Sequence, residues 1–342
     1  MLSVLLVVTA LVSLGEGASD MTLSGTLRGG LALLGLGDPL DRRLQSIAEL
    51  RIFRLLVAVG VGASLALSGA LLQGIFRNHL ASPSILGVTS GASMGAAIMI
   101  VLLSGSGSLF LVDRVASLGP LWIALAAFAG ACATTFVVTA LATTGGRISV
   151  PTLLLVGIAV NAIVGGAIAA LQHFALEESD LMRALITWTF GRLDDRSGYH
   201  VVTIGVGLLF AVTLIPIVAT ELDLFASGEE DAHSLGVNIS RVKWISLAGA
   251  ALLAALAVSV AGQIAFVGLI TPHILRRITG PGYRSLLWLC LLGGPVLLCG
   301  TDLLQTLTLG QSFLPPGVIM SLLGGPFFLA LLFTNRSKVE AW

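Results

Sequence analysis

Leu55-Leu-Val-Ala-Val-Gly-Val-Gly-Ala-Ser-Leu-Ala-Leu-Ser-Gly-Ala-Leu-Leu-Gln-Gly-Ile-Phe76 contains no charged residue. A helix needs about 20 such residues to cross the roughly 30 Å hydrocarbon core of a bilayer. Working outward, further apolar runs lie at about residues 1–14, 86–103, 115–142, 151–171, 199–220, 241–262, 264–275, 285–309 and 313–333. Composition agrees: 56% of the 342 residues are apolar, 11% are charged, and mean hydropathy is +1.00. That leaves too little polar surface to coat a water-soluble globule. The sequence therefore predicts an all-α polytopic membrane protein, one transmembrane domain over residues 1–342 with ten membrane-crossing helices.

Two of the runs are short. Met1–Leu14 has no basic residue before it and is followed by Gly15-Glu-Gly-Ala-Ser19, so it reads either as a signal peptide or as a first helix. Ile264–Leu275 is separated from the preceding run only by Gly262 and Gln263. One helix over 241–275 would be about 52 Å long, so two crossings joined by a tight turn are expected. With both termini in the cytoplasm, Arg77, Arg147, Arg241, Lys243, Arg276, Arg277, Arg284, Arg336 and Lys338 fall inside. Five of the remaining cations, Arg28, Arg42, Arg43, Arg51 and Arg54, crowd the first outer loop, and the later loops follow the positive-inside rule.

Several classes are excluded by what the chain lacks. The 18 basic and 18 acidic residues cancel, which gives no field for nucleic acid. Cys132, Cys290 and Cys299 sit in apolar runs without paired spacing and read as core residues. The five histidines have no metal-ligand spacing. No Gly-x-x-x-x-Gly-Lys-Ser/Thr occurs, and neither Lys243 nor Lys338 follows a glycine. If ATP drives this protein, another chain binds it.

Inside the spans, Ala58, Gly62, Ala66, Ala70 and Gly74 form a small-residue stripe, and Gly87, Gly91 and Gly95 form another; both suit close helix packing. Gly157, Asn161, Gly165 and Ala169 share one face, where Asn161 either lines a path or bonds a neighbouring helix. Asp302 is a lone acid in an apolar run, about 27 Å along its helix from Arg284, and reads as structural or interfacial. No second buried acid accompanies it, which disfavours a proton-coupled carrier. In the polar loop 221–240, Ser227-Gly228-Glu229-Glu230 has capping-box spacing, Asp231, His233, Ser234 and Leu235 continue a short helix, and Gly236 suits its left-handed end.

Arg51-Ile-Phe-Arg54, Leu67-Ser-Gly-Ala-Leu-Leu-Gln-Gly-Ile-Phe-Arg-Asn78 and Leu80-Ala-Ser-Pro-Ser-Ile-Leu-Gly-Val-Thr-Ser-Gly-Ala92 together carry a family pattern. So do Gly228–Val237, Gly262-Gln-Ile-Ala-Phe-Val-Gly-Leu-Ile-Thr-Pro-His-Ile-Leu-Arg276 and Leu314-Pro-Pro-Gly-Val-Ile-Met-Ser-Leu-Leu-Gly-Gly-Pro-Phe-Phe328. In this order over residues 51–328 the chain resembles the FecCD permeases of binding-protein-dependent ABC importers. The resemblance implies a bacterial inner-membrane homodimer, two ATP-binding subunits below it and a periplasmic substrate-binding protein above.

ATP and magnesium would be held by the partner, and this chain would bind no cofactor and catalyse nothing itself. The short helix from Gly228 would couple to the ATPase, Arg51 and Arg54 would dock the binding protein, and Gln73, Asn161, Gly165 and Ser321 would border the pathway. The implied cargo is a metal chelate, foremost ferric siderophore, then haem or cobalamin, moved by alternating access. A secondary, ion-coupled transporter is the other reading. The chain departs from the family pattern at Ile52-Phe53, His79 and Gln305-Thr306. The last of these removes a basic position from the docking set and leaves more of it to Arg51 and Arg54.

Overall fold

The computed structural model describes residues 1–16, 21–38, 40–104, 119–145, 147–309 and 314–334. Arg336 and Lys338, and the first four residues of the run expected at 115–142, lie outside them. Thirteen α-helices are present among the described residues. In chain order they are α1 (Leu2–Gly15), α2 (Leu23–Leu33), α3 (Arg42–Phe76), α4 (Val88–Ser104), α5 (Gly119–Leu141), α6 (Val150–Phe174), α7 (Ser179–Thr189), α8 (Gly198–Phe225), α9 (Glu229–Ser234), α10 (Ile239–Ala261), α11 (Val267–Thr279), α12 (Tyr283–Leu309) and α13 (Pro316–Thr334). A 3-10 turn at Pro83–Leu86 and a hairpin pairing Thr143–Thr144 antiparallel with Arg147–Ile148 complete the regular structure.

Each apolar run coincides with a helix, and α2, α7 and α9 lie between them. Six helices, α3, α5, α6, α8, α10 and α12, are long and apolar enough to cross a membrane on their own; α1, α4 and α13 are apolar but shorter. The N-terminal run is a helix packed on α12. The bundle has two ends, the α9 face, where α3, α8 and α11 finish, and a distal face, where α4, α6 and α10 finish.

α3 is the centre, with α8, α10, α11 and α12 around it. It was expected over 55–76 but starts at Arg42, so its 35 residues extend about 52 Å. The added turns are amphipathic rather than apolar, which is why hydropathy missed them. Ala48 is fully buried against α2, and Gln45 Nε2 donates to the Gly29 carbonyl at 3.2 Å. At the other end Arg77 adopts a left-handed conformation (φ 49°) that stops the helix.

The glycine stripe of α3 admits neighbouring backbones. A β-carbon on Gly62 would lie 2.6 Å from the Gly294 carbonyl oxygen of α12, and one on Gly69 would lie 1.9 Å from that of Gly268 in α11. Gly91 and Gly95 meet the α5 backbone at Gly130 and Ala126 in the same way. Without a hydrophobic force between helices in lipid, this contact of small residues is what packs them.

The turn expected at Gly262-Gln263 is a longer break. α10 stops at Ala261, residues 262–266 are not helical, and α11 then runs 13 residues, about 20 Å. Left-handed conformations at Gly262 (φ 73°) and Phe266 (φ 66°) bracket the break. The loop after α7, the start of α13 and α4 enclose it. The Arg192 N–H donates to the Ala261 carbonyl at 2.7 Å, and the Gln263 side chain donates to Ser93 Oγ.

Replacing Gly69 by Val should lower the thermal unfolding midpoint of the purified protein, by strain at least equal to the ~1–3 kcal/mol of an overpacked core. Gly205→Ala, in α8 where a β-carbon meets nothing within 4 Å, should leave the midpoint unchanged or slightly higher. Scanning fluorimetry of both variants checks this.

Candidate functional site

The α9 face is built from the polar loop. Ser227 does not cap α9; its N–H still closes the last turn of α8 on Leu224, and Gly228 (φ 136°) is the N-cap instead. The helix therefore starts one residue later than the capping-box spacing predicts. Glu229, Glu230 and Asp231 fill its first turn, where the helix dipole favours acids. Its end is as expected: Gly236 is left-handed (φ 87°), and the N–H groups of Gly236 and Val237 bond the carbonyls of His233 and Ala232.

Ala232 is the buried anchor of α9, while Glu229, Glu230, His233, Ser234 and Leu235 are exposed. Lys243 of α10 holds the helix, with Nζ 2.7 Å from Glu229 Oε1 and 5.9 Å from the Phe225 ring centroid. Beside it opens a groove of about 660 Å³ lined by Glu229, Glu230, His233, Lys243, Trp244 and Ile148 of the hairpin. The result is a short acidic helix, fixed at its base and presented outward.

Above this face a polar network ties four helices. Arg276 of α11 donates to Gln73 Oε1 and, at 3.0 Å, to the Tyr283 hydroxyl. Gln73 Nε2 reaches the Gly268 carbonyl at 3.2 Å. Asp223 of α8 accepts from the backbone N–H groups of Tyr283 and Arg284 and so caps α12 from another helix. Gln73, expected beside the pathway, is fully buried between α3 and α11. The small residues that let α11 approach α3 turn that side chain into the interface.

Of the other pathway candidates, Gly165 and Ser321 are exposed and Asn161 is half-buried. Asn161 donates to the Ser84 carbonyl at 3.0 Å and accepts from Ser90 Oγ at 2.6 Å, which joins α6 to the 3-10 turn and α4. A β-carbon on Gly165 would meet nothing within 4 Å, and Ser321 is exposed with its hydroxyl bonded to the Gly317 carbonyl. Only 11% of the apolar window of α6 is buried.

At the distal face Arg51 caps α1: Nη1 donates to the carbonyls of Leu14 (3.0 Å), Gly15 (3.3 Å) and Met21 (3.0 Å). Arg54 forms a fork on Asp302, with Nε 2.9 Å from Oδ2 and Nη2 2.7 Å from Oδ1. Its Nη1 lies 2.7 Å from Asp194 Oδ1 in the loop before α8. Asp302 is thus the buried half of an ion triad. Both arginines expected to dock a partner engage groups of this chain. Asp194 and Asp223 escaped sequence reading because their partners are remote in the chain and follow no spacing rule.

Among the described residues no group of three or more His, Cys, Asp or Glu side chains could hold a metal ion. Among the described residues the geometry supplies ties and surfaces.

Comparison with known proteins completes the picture. The profile of the FecCD transport family matches residues 5–334. The cobalamin import system permease protein of Halobacterium salinarum is 40% identical over 84% of this chain and 73% of its own. The hemin transport system permease protein of Yersinia pestis is 35% identical over 85% and 84%. The Fe(3+)-citrate import system permease protein YfmE of Bacillus subtilis is 32% identical over 98% and 95%. A solved ABC transporter assigned to the metal-chelate type, in an inward-facing conformation, superposes with a TM-score of 0.76 at 28% identity and covers 97% of both chains.

The Arg54 triad makes an asymmetric prediction. Asp302→Ala removes both bonds of the Arg54 fork and leaves the guanidinium only the more exposed Asp194, so it should cost ~3 kcal/mol, the low end for breaking a buried pair. Asp194, 30% exposed, should cost no more than ~1 kcal/mol on replacement by Asn. Thermal or denaturant unfolding of the two variants measures the difference, and equal losses would remove Asp302 as the anchor.

Proposed function

The chain belongs to the FecCD transport family, and on that premise we propose that it is the permease subunit of an ATP-driven importer that moves a metal chelate into the cytoplasm. The observation that carries this is α9: a capped acidic helix, braced by Lys243, exposed at one end of a bundle whose sequence has no nucleotide-binding motif. A separate ATPase supplies the motion, and α9 receives it. Two such subunits sit below a pair of permease copies, and the α9 face is cytoplasmic.

In this arrangement ten helices cross the inner membrane with both termini inside, and the open faces of α6 and α13, carrying Asn161, Gly165 and Ser321, meet across the dimer axis. A binding protein delivers cargo to the distal face. For it to engage Arg54, its carboxylate must displace Asp194, the more exposed of the two acids, while Asp302 keeps the guanidinium in place. Arg51 shapes the same surface by fixing the end of α1. ATP-driven closure of the ATPases shifts α9 and switches the path between outward-open and inward-open states.

Relatives named for cobalamin, hemin and ferric citrate share one cargo chemistry, a bulky metal chelate. A ferric siderophore is our first choice within that class. An ion-coupled carrier needs no partner, so ATP-independent, ionophore-sensitive uptake by vesicles holding this chain alone would favour that reading.

Charge reversal of Glu230 to Lys, at an exposed acid outside the Lys243 brace, should abolish chelate uptake and stimulation of the partner ATPase while leaving the purified permease folded; adding Glu229→Lys, which also breaks the ion pair to Lys243, should abolish both and lower the unfolding midpoint as well. Reconstitution in proteoliposomes with the ATPase and binding protein gives the readout. Uptake at the unmodified rate would remove α9 from the coupling path.

A further inference from the structure

Behind α7, at the distal face, lies a cavity of about 610 Å³ whose charges are unbalanced. Its polar wall is Arg183, Thr187, Arg192 and Arg196, with Asp180 as its one acid; its floor is apolar, from Ile100, Leu103 and Ile123 at the ends of α4 and α5 and Trp188 of α7. Arg192 has a carboxylate, Asp195, at 3.5 Å. Among the described residues neither Arg183 nor Arg196 has one within 4 Å, although Asp180 stands one turn from Arg183.

Arg196 is the more telling. It is largely enclosed, and burial pushes its guanidinium below the usual arginine range. Its Nη2 donates to the Arg192 carbonyl at 3.0 Å, but Nε is buried without a partner. Nη1 faces His200 Nε2 at 3.3 Å. His200 Nδ1 lies 3.2 Å from both the N–H and the hydroxyl of Ser197, and Nε2 accepts from Arg196 only in the tautomer that puts the ring proton on Nδ1. An arginine with five donors thus has one backbone acceptor and at most one neutral ring nitrogen on this chain and, among the described residues, no carboxylate within 4 Å, in a setting where an unpaired cation is costly. Arg54, on the same face, has two carboxylates.

From this the geometry points to an anion site behind α7 that takes an acidic phospholipid headgroup, its phosphate held by Arg196 and Arg183 and its chains laid over the ends of α4 and α5. Arginine forks suit phosphate oxygens, and Thr187 adds a hydroxyl. The surroundings favour a lipid over a free oxyanion. Ile98, Leu102, Trp122 and Leu125 stand exposed on the outer sides of α4 and α5, an apolar surface continuous with the cavity floor and carrying the tryptophan common at bilayer interfaces. The bound headgroup would neutralise Arg196 and brace α7 against α4 and α5.

The test uses the purified full-length protein in neutral detergent, titrated with short-chain phosphatidylglycerol, with short-chain phosphatidylcholine and with inorganic phosphate, binding being read by native mass spectrometry and thermal shift. Phosphatidylglycerol should bind in preference to phosphatidylcholine. Arg196→Gln and Arg183→Gln should each weaken it about tenfold, the loss of one charge-assisted contact, while Arg28→Gln, an exposed cation on α2, should not. If inorganic phosphate alone binds with the same dependence on the two arginines, the anion site stands and its occupant is a soluble oxyanion. Binding of neither anion, or binding indifferent to both substitutions, overturns the site; should Arg196→Gln fail to fold, the exposed Arg183→Gln decides.

Discussion

A helix that breaks inside a bilayer exposes N–H and C=O groups where no water can bond them, so protein must close around the break. Residues 262–266, the non-helical turn between α10 and α11, make the same demand, and the segments around them are arranged to meet it. The Arg192 amide takes the Ala261 carbonyl, and Gln263 reaches Ser93 across to α4. Two loops and the first turn of α13 come so close there that only glycines fit. A β-carbon at Gly191 or Gly317 would lie 2.4 Å from the Gln263 carbonyl oxygen, and one at Gly262 would lie 2.6 Å from that of Trp188. The loop after α7 and the start of α13 owe their positions to this enclosure.

Polar side chains then fix what the glycines allow. At one end Arg54 links α3, α12 and the loop before α8; at the other, Gln73, Arg276, Tyr283 and Asp223 link α3, α8, α11 and α12. The two ties differ in kind. The distal one joins full charges, one of them exposed enough to be exchanged. The one near α9 sets Arg276 and Asp223 at opposite ends of a chain of amide, phenol and backbone groups, and Asp223 is half-buried with Arg284 at 3.9 Å.

The sequence reader and the structure agree where physics is local. Apolar runs mark the helices because lipid demands them, and Gly236 marks the end of α9 because a left-handed residue is needed there. They part where tertiary contact decides. The first turns of α3 are too polar for a hydropathy scan, yet Ala48 is buried; Ser227 has the spacing of a cap, but α8 has not ended when the chain reaches it. Gln73 looks like a polar residue on a path until Gly268 brings α11 against it. The partners of Arg54 lie 140 and 248 residues away along the chain, beyond any pattern of spacing.

α3 runs as one continuous helix of 35 residues, carrying one tie in each half and glycine contacts between them. A rod of this kind resists compression but slides easily against neighbours that touch it backbone to backbone. Displacement imposed at one end must arrive at the other as tilt or axial shift of the rod itself. In a permease worked from one face, such a helix would act as the gear of the subunit, its length relating the displacement put in at that face to the one obtained at the other.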